Sequence, residues 1–283
     1  MEDCVAKLVL RLLRPPSNNA PTGDWFRARA RNPRAGATFE WQRKGMLDRG
    51  WISYCGAAPL PSDWLGRWNG DPWLLLGLGL VASLAWRRDA APAFWAGMAV
   101  LVLLFVSPLC ALSSALFSVR VVHHVILTAV AAPLLLWGLP RLVVSGSAAL
   151  WAGGHILLFW VWHAPAPYAA AFSNDLIFWT MQLSLLVSAM TFWGALRRAS
   201  SPTAILLLLA MMVQMGLLGA LITFAASPLY APHAASTLAW GLTPLEDQQL
   251  AGLIMWAPAA VFYLAAALWR GWHMLAPPAA AAR

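Results

Sequence analysis

The stretch from Val119 to Leu139, VRVVHHVILTAVAAPLLLWGL, decides the fold class of this protein. After its first turns it contains no charged side chain, and it matches the ~20 residues that an α-helix needs to cross ~30 Å of hydrocarbon. A helix on the surface of a soluble protein would carry a polar face along its whole length. The stretch therefore predicts a membrane-spanning helix.

This stretch is one of seven apolar segments, each of which ends at charged residues, prolines or a polar cluster. The segments cover residues 72–86, 93–112, 119–139, 147–163, 176–196, 203–225 and 249–270. The sequence is 60% hydrophobic and 11% charged, whereas an ordinary soluble domain is roughly 25% charged. Most connectors are short, so consecutive helices are expected to be neighbours. We therefore predict an all-α, polytopic helical bundle with about seven transmembrane helices and the lipid bilayer as its surroundings.

The positions of the basic residues predict how the bundle is oriented. One set of connectors and segment ends carries Arg87, Arg88, Arg141, Arg197, Arg198 and Arg270. The opposite set is nearly free of positive charge, apart from Arg120. Because basic connectors stay in the cytoplasm, the N-terminus is predicted outside and the C-terminus inside. The net charge of +8 follows this topology pattern, so no nucleic-acid partner is predicted.

The ends of the chain differ from the apolar region. Residues 1–63 are rich in Arg, Pro and Gly and are predicted to form a poorly structured tail, for which an upstream extension of the reading frame is one explanation. Residues 64–273 form the predicted seven-helix domain, and residues 274–283 form a tail rich in Ala and Pro. The three cysteines show no CxxC spacing and predict no disulfide framework.

Polar residues with metal or acid-base chemistry gather at the outer ends of the predicted helices. Polar groups in membrane segments are costly and usually face the bundle interior, so the cluster predicts a functional site. Its predicted metal ligands are His124, His163 and His123, supported by Arg120, Asp247, Gln248, Cys110 and Tyr168. His233 joins the same side from a predicted lid that spans residues 226–248.

Helical spacing separates these candidates from residues that only pack. Arg120 and His124 are spaced i,i+4 and share a helix face, whereas His123 and His124 point ~100° apart, so His124 is favoured as the inward ligand. The alternative is that these histidines lie in the headgroup region and hydrogen-bond to water or to a carbonyl. His155 lies deeper and is interpreted as a packing residue, as are Met211 and its neighbouring methionines.

Several motifs in this order resemble the CtaG family of cytochrome c oxidase assembly factors. They are SVRVVHHVIL from Ser118, APLLLWGLP from Ala132, WHAPAPY from Trp162, SPLY from Ser227 and DQQLAGLIMWAP from Asp247. The resemblance covers about residues 66–272. It implies a seven-span protein of the bacterial plasma membrane that aids maturation of a haem-copper oxidase in respiratory chain biogenesis.

The resemblance also implies copper as a transient cargo and oxidase subunits as partners. The family pattern has a His pair at i and i+4 on the third helix, where this chain has Arg120 and His124, and a second pair where it has Phe178 and Gln182. An arginine beside a ligand histidine repels copper ions electrostatically. The departures therefore weaken the predicted copper site more than the predicted fold.

Three classes of function are compatible with these features. No nucleotide-binding, zinc-protease or hydrolase motif occurs in a suitable context, so a non-enzymatic assembly factor that delivers copper or docks a partner subunit is the leading prediction. A haem-binding electron carrier would need facing axial histidines, which His155 with His123 or His124 could supply. A small-molecule or ion transporter is disfavoured by the lack of an internal repeat.

Overall fold

A computed structural model describes residues 52–275, and within that range the chain is helical, without a strand. The helices are α1 (Pro72–Trp86), α2 (Pro92–Phe105), α3 (Pro108–Ala115), α4 (Phe117–Trp137), α5 (Ala148–His163), α6 (Pro165–Ser173), α7 (Asp175–Arg198), α8 (Ser201–Thr223), α9 (Pro244–Trp256) and α10 (Pro258–Leu275). The predicted all-α class is confirmed. Residues 1–51 and 276–283, which include most of the predicted basic tail and most of the C-terminal tail, lie outside the described range.

Local sequence explains where these helices begin. Proline occupies the first or second position of most of them, where its missing N–H costs no hydrogen bond. The start of α9 is a capping box, in which Thr243 Oγ1 accepts from the Glu246 N–H and the Glu246 carboxylate accepts from the Thr243 N–H. Because of these signals, most helices begin close to the first residue of a predicted apolar segment.

Four stretches are long and apolar enough to cross a membrane: α4, α7, α8, and α9 with α10 taken together over Pro244–Leu275. Helices α2 and α3 add a fifth if their 49° bend lies within one broken span. Helix α1 is apolar but shorter than these. The helical membrane character is thus established for the described residues, whereas the count of seven crossings and the orientation of the termini stay predictions.

The sixth and seventh predicted segments pack through small residues. A Cβ atom on Gly252 would lie 2.2 Å from Thr223 Oγ1 and 2.5 Å from the Gly219 carbonyl oxygen, and one on Gly219 would lie 2.7 Å from the Gly252 carbonyl. Only glycine at both positions allows α8 and α9 to approach so closely, which is typical of packing between membrane helices.

Helix α4 changes its winding in the middle. A π-helical turn, Leu127–Ala131, follows the two histidines and precedes Pro133. Proline has no N–H to continue the regular ladder, and such π turns are frequent at functional sites. The carbonyl of Thr128, inside this turn, accepts a hydrogen bond from Trp193 Nε1 at 2.9 Å. A side chain of α7 therefore stabilises the irregular turn.

Residues 52–63, which the sequence assigns to the N-terminal tail, form a strap packed against the bundle. The Tyr54 ring stacks on Phe178 with 5.0 Å between centroids, and its hydroxyl donates to the Asp71 carboxylate. Trp240 Nε1 donates to the Pro59 carbonyl at 3.2 Å. The lack of a helical or strand period made these residues resemble a tail, although their aromatic and polar groups have specific partners.

The cysteine prediction is also corrected. Cys55 of the strap and Cys110 of α3 form a disulfide, with 5.2 Å between their Cα atoms. The two cysteines are 55 residues apart, so no local spacing signals the pair. Cys110 is thereby removed from the predicted supporting residues of a metal site, since its sulfur is bonded to Cys55.

Candidate functional site

The start of α4 is fixed by a carboxylate from a distant helix. Asp247, in α9, accepts hydrogen bonds from the Phe117 N–H at 2.7 Å, the Ser118 N–H at 3.2 Å and the Ser118 hydroxyl at 2.5 Å. These N–H groups belong to the first turn of α4, which has no partner of its own for them, and the carboxylate also complements the positive end of the helix dipole. Asp247 therefore positions the helix that carries the histidines.

Two histidines from neighbouring helices meet at the centre of the site. The ring centroids of His124 on α4 and His163 at the end of α5 lie 5.5 Å apart, and the two rings meet edge to face. Their side chains are 0% and 2% exposed, respectively, so neither can hydrogen-bond to bulk water. The sequence placed both residues at one depth, and the structure brings them into contact.

The tautomer of His163 is fixed by its surroundings. Its Nδ1 lies 2.7 Å from the Phe159 carbonyl oxygen, and a carbonyl only accepts, so Nδ1 carries the proton. The opposite nitrogen, Nε2, then has a free lone pair, and it has no hydrogen-bond partner among the described residues. A histidine whose Nδ1–H is held by a carbonyl is oriented as metal-bound histidines are.

His124 also has an unused ring nitrogen. Its Nε2 lies 3.4 Å from Gln182 Nε2 on α7, while its Nδ1 and the Gln182 Oε1 have no hydrogen-bond partner within residues 52–275. The Nδ1 lone pair is free in the tautomer that carries its proton on Nε2, which the Gln182 oxygen accepts once the amide is turned. The carbonyl of His124 accepts from Thr128 Oγ1 at 2.8 Å. The pair His124 and His163 therefore presents two buried imidazole nitrogens whose hydrogen-bonding capacity is unfilled.

His123 faces a different part of the bundle. Its ring makes an edge contact with Phe105 of α2, with 4.9 Å between centroids, and lies 5.9 Å from the His124 ring. Adjacent helical residues point about 100° apart, which explains the separation. The structure thus does not bring the third predicted ligand into the His124–His163 pair.

Arg120 lies one turn before His124 and is 1% exposed. Its guanidinium carbon is 5.3 Å from the centroid of the Phe178 ring, and its side chain hydrogen-bonds to Tyr168. Its Nε and Nη1 have no hydrogen-bond partner among the described residues. Arg120 and Asp247 do not form an ion pair, since the only ion pair within the described range joins Arg67 and Asp63.

The lid closes the site through two tyrosines. Tyr168 Oη lies 2.6 Å from His233 Nε2, and Tyr230 Oη donates to the His163 carbonyl at 2.7 Å. Burial, and then the charge of Arg120, lower the pKa of His233 to about 3, so this histidine is neutral at physiological pH. Burial raises the pKa of Tyr168, which stays a neutral phenol that can donate to His233.

The remaining predicted residues have structural partners. Gln248 donates to the Ile222 carbonyl at 3.1 Å and accepts from the Leu229 N–H at 2.6 Å, which ties the lid to α8. His155 lies 2.8 Å from the Ser188 hydroxyl and stacks on Phe192, as expected of a packing residue. No group of three or more His, Cys, Asp or Glu side chains within residues 52–275 is arranged to hold a metal ion.

Comparison with known proteins decides the family. The sequence profile described as "Cytochrome c oxidase caa3 assembly factor (Caa3_CtaG)" matches residues 74–152 and 146–276. The chain belongs to this family. The resemblance inferred from the motifs is confirmed. No curated protein and no solved structure gives a significant match.

Within this cytochrome c oxidase assembly factor, the matched region contains the histidine pair, Arg120 and the lid, whereas the strap lies before it. Sequence reasoning missed three contributors to the site, namely Tyr54, Phe178 and Tyr230. Phe178 contacts both Arg120 and Tyr54, so the Phe178 ring lies between the strap and the buried guanidinium of Arg120. The only sequence signal for Tyr230 was its place in the SPLY motif.

Proposed function

We propose that this family member assists the assembly of a haem-copper oxidase by holding Cu(I) as cargo between His124 and His163. The observation that carries the proposal is the pair of buried, unpartnered ring nitrogens, one of which belongs to a histidine with a fixed tautomer. Neutral imidazole is a good copper ligand. A carrier has to release its cargo, and two ligands bind less firmly than the closed ligand set of a resident site.

The positive charge of Arg120 also favours the release of copper. A cation on the same helix face as His124 lowers the affinity for a copper ion, since like charges repel strongly where water is excluded. No reaction is catalysed in the proposed role; the factor is non-enzymatic and acts together with oxidase subunits. The basic connectors support a bacterial plasma-membrane protein with the site outside.

The disulfide supports the same placement. Disulfides persist in oxidising compartments such as the bacterial periplasm and are rare in the cytosol. The Cys55–Cys110 bond is at the end of the bundle that holds the site, because Tyr54, next to Cys55 in the strap, stacks on Phe178, which contacts Arg120. Copper from outside the cytoplasm would reach this end directly.

The test is Cu(I) binding and oxidase maturation in a double variant, His124→Ala with His163→Ala. Loss of both ligands is expected to lower the Cu(I) affinity of the purified protein by more than the roughly 10–100-fold that loss of one outer-shell partner costs. Competition with a chromophoric Cu(I) chelator measures this affinity. In cells that carry only the variant, oxidase activity falls while the abundance of the factor is unchanged.

His155→Ala is the matched control, because it removes an equally buried imidazole two turns deeper on the same helix, whose ring nitrogen pairs with the Ser188 hydroxyl. It is expected to keep both Cu(I) binding and oxidase activity. Wild-type Cu(I) affinity in the double variant would exclude the histidine pair as the copper site. Normal oxidase activity despite lost Cu(I) binding would separate the assembly role from copper.

A further inference from the structure

A long apolar groove, chemically unlike the histidine pair, runs along the outside of the bundle. Its volume is about 840 Å³, and it lies between α4, α7, α8 and α10. Small side chains make it wide, namely Ala129, Ala204, Ala265 and Ala266, and larger apolar ones such as Leu134, Leu208 and Phe262 form its walls. The groove has the shape and polarity to hold an extended hydrocarbon chain.

One end of the groove is basic. Arg197, near the end of α7, and Arg270, in α10, line it together with Trp137 and Trp269. Tryptophan is enriched at the boundary between hydrocarbon and headgroups. The groove therefore runs from the headgroup level, marked by these arginines and tryptophans, into the hydrocarbon level, marked by Leu208 and Phe262.

The two arginines have structural partners that use only part of their capacity. Arg270 Nη2 donates to the carbonyls of Leu196 at 2.8 Å and Ala199 at 3.1 Å, and Arg197 Nη1 donates weakly to the Leu136 carbonyl at 3.4 Å. A guanidinium has five N–H donors, and no described carboxylate pairs with either residue. Two positive charges therefore stand at the mouth of an apolar groove without a described counter-ion.

We propose that this groove binds one anionic phospholipid, with its phosphate at Arg197 and Arg270 and an acyl chain along α4. Arginine pairs with phosphate through parallel N–H bonds, and basic pockets between transmembrane helices bind anionic headgroups. A zwitterionic lipid fits the groove less well, because its ammonium group would approach two uncompensated guanidinium groups. The bound chain lies against Ala129 and Val130, which both belong to the π turn after the histidines.

The experiment uses the full-length protein in a neutral detergent. Phosphatidylglycerol, phosphatidylcholine and inorganic phosphate are titrated separately, with the lipid retained on the protein followed by native mass spectrometry. The double variant Arg197→Gln with Arg270→Gln is expected to bind phosphatidylglycerol roughly thirtyfold more weakly, since each arginine near an anionic surface contributes about fivefold. Wild-type protein prefers phosphatidylglycerol over phosphatidylcholine by a similar factor.

Arg87→Gln with Arg88→Gln is the matched control, because it removes two exposed arginines that do not line the groove. It is expected to keep wild-type affinity for phosphatidylglycerol. Equal retention of phosphatidylcholine, or equal loss in the control, would overturn the proposal. Inorganic phosphate that competes fully with the lipid would also overturn it, because the apolar groove would then contribute nothing.

Two single variants test whether the double variant loses lipid binding only because it misfolds. Arg197→Gln changes an exposed residue whose only described hydrogen bond is long, so it keeps the helix caps made by Arg270 and is expected to weaken lipid binding about fivefold. Ala265→Phe fills the groove from an exposed position and is expected to abolish lipid retention while leaving both arginines in place. Wild-type retention in both variants would contradict the proposal.

Discussion

At the scale of single residues, Arg120 is the cation buried one helical turn before His124. Its guanidinium is 1% exposed, lies on the face of Phe178 and bonds to the Tyr168 hydroxyl. A buried charge without an opposite charge is costly, and the aromatic ring and the phenol oxygen offset only part of that cost. Its position one turn from His124 makes it the strongest local influence on cation binding there.

We expect Arg120→His to strengthen Cu(I) binding. The substitution removes the repelling cation and adds a third imidazole on the face of His124, so the affinity should rise by roughly tenfold or more. The dissociation constant of purified protein, measured by competition with a Cu(I) chelator, checks this. Arg120→Gln removes the charge without adding a ligand and should give an intermediate affinity, whereas affinities no higher than wild type in both variants would show that Arg120 does not oppose copper.

At the scale of helices, the decisive contact is the cap of α4 by Asp247. Three donors converge on one carboxylate that is 1% exposed. Such charge-assisted hydrogen bonds are stronger than neutral ones, and the two N–H groups have no other partner inside the bundle. The cap therefore determines both where α4 begins and which way Arg120 and the histidines face.

Asp247→Ala is expected to lower the free energy of unfolding by about 2–4 kcal/mol, because it leaves buried N–H groups unsatisfied. Denaturation of the purified protein in mixed micelles measures this change. Glu246→Ala is the matched control, since this neighbouring carboxylate is exposed and caps only its own helix; it should cost about 1 kcal/mol or less. Equal losses in the two variants would contradict the role of Asp247.

Helix positions were largely predictable, while the contacts between distant segments were not. The apolar segments 147–163 and 176–196 became helices Ala148–His163 and Asp175–Arg198, because unbroken hydrophobic stretches in lipid have to satisfy their backbone internally. The bend near Ser107 was missed, although Pro108 signals the start of a new helix there. The strap and its disulfide depend on partners far along the chain, for which one sequence contains no periodic signal.

In the candidate site, too, helix positions were predictable and contacts between distant segments were not. Helix direction predicted that His124 and His163 would share a depth, and their rings are 5.5 Å apart. Spacing also predicted that His123 and His124 would diverge. The roles of Phe178, in an apolar segment, and of Tyr230, in the lid, could not be predicted, because an aromatic residue at either kind of position is usually a packing residue. Whether the pair binds copper stays a prediction.

At the scale of the whole molecule, the two ends of the bundle have different chemistry. One end is basic: Arg197 and Arg270 bond to the ends of α4 and α7 there, and the Ala91 N–H donates to the Gly138 carbonyl at 3.0 Å, which brings the connector with Arg87 and Arg88 to the same end. The other end holds the strap, the disulfide and the lid. This separation agrees with the charge pattern on which the predicted orientation rests.

Cysteine labelling in intact cells tests that orientation. In a Cys4→Ser background, Ser173→Cys at the end of α6 is expected to react with a membrane-impermeant thiol reagent, because that exposed position lies on the lid side. Ser145→Cys, exposed in the connector after α4, should react only after the cells are permeabilised. The reverse pattern would place the histidine pair on the cytoplasmic side and contradict copper delivery from outside.

The cap on α4 also has a consequence for how the protein is made. Asp247 is 130 residues beyond Phe117, and chains emerge from the ribosome N-terminal end first. During synthesis the helix with the histidines therefore enters the membrane with an uncapped first turn, and it acquires its final start only when α9 has been inserted. A chain that stops before Pro244 would contain both histidines of the pair without a fixed geometry for them. The cap, and with it the geometry of the site, is complete only near the end of translation.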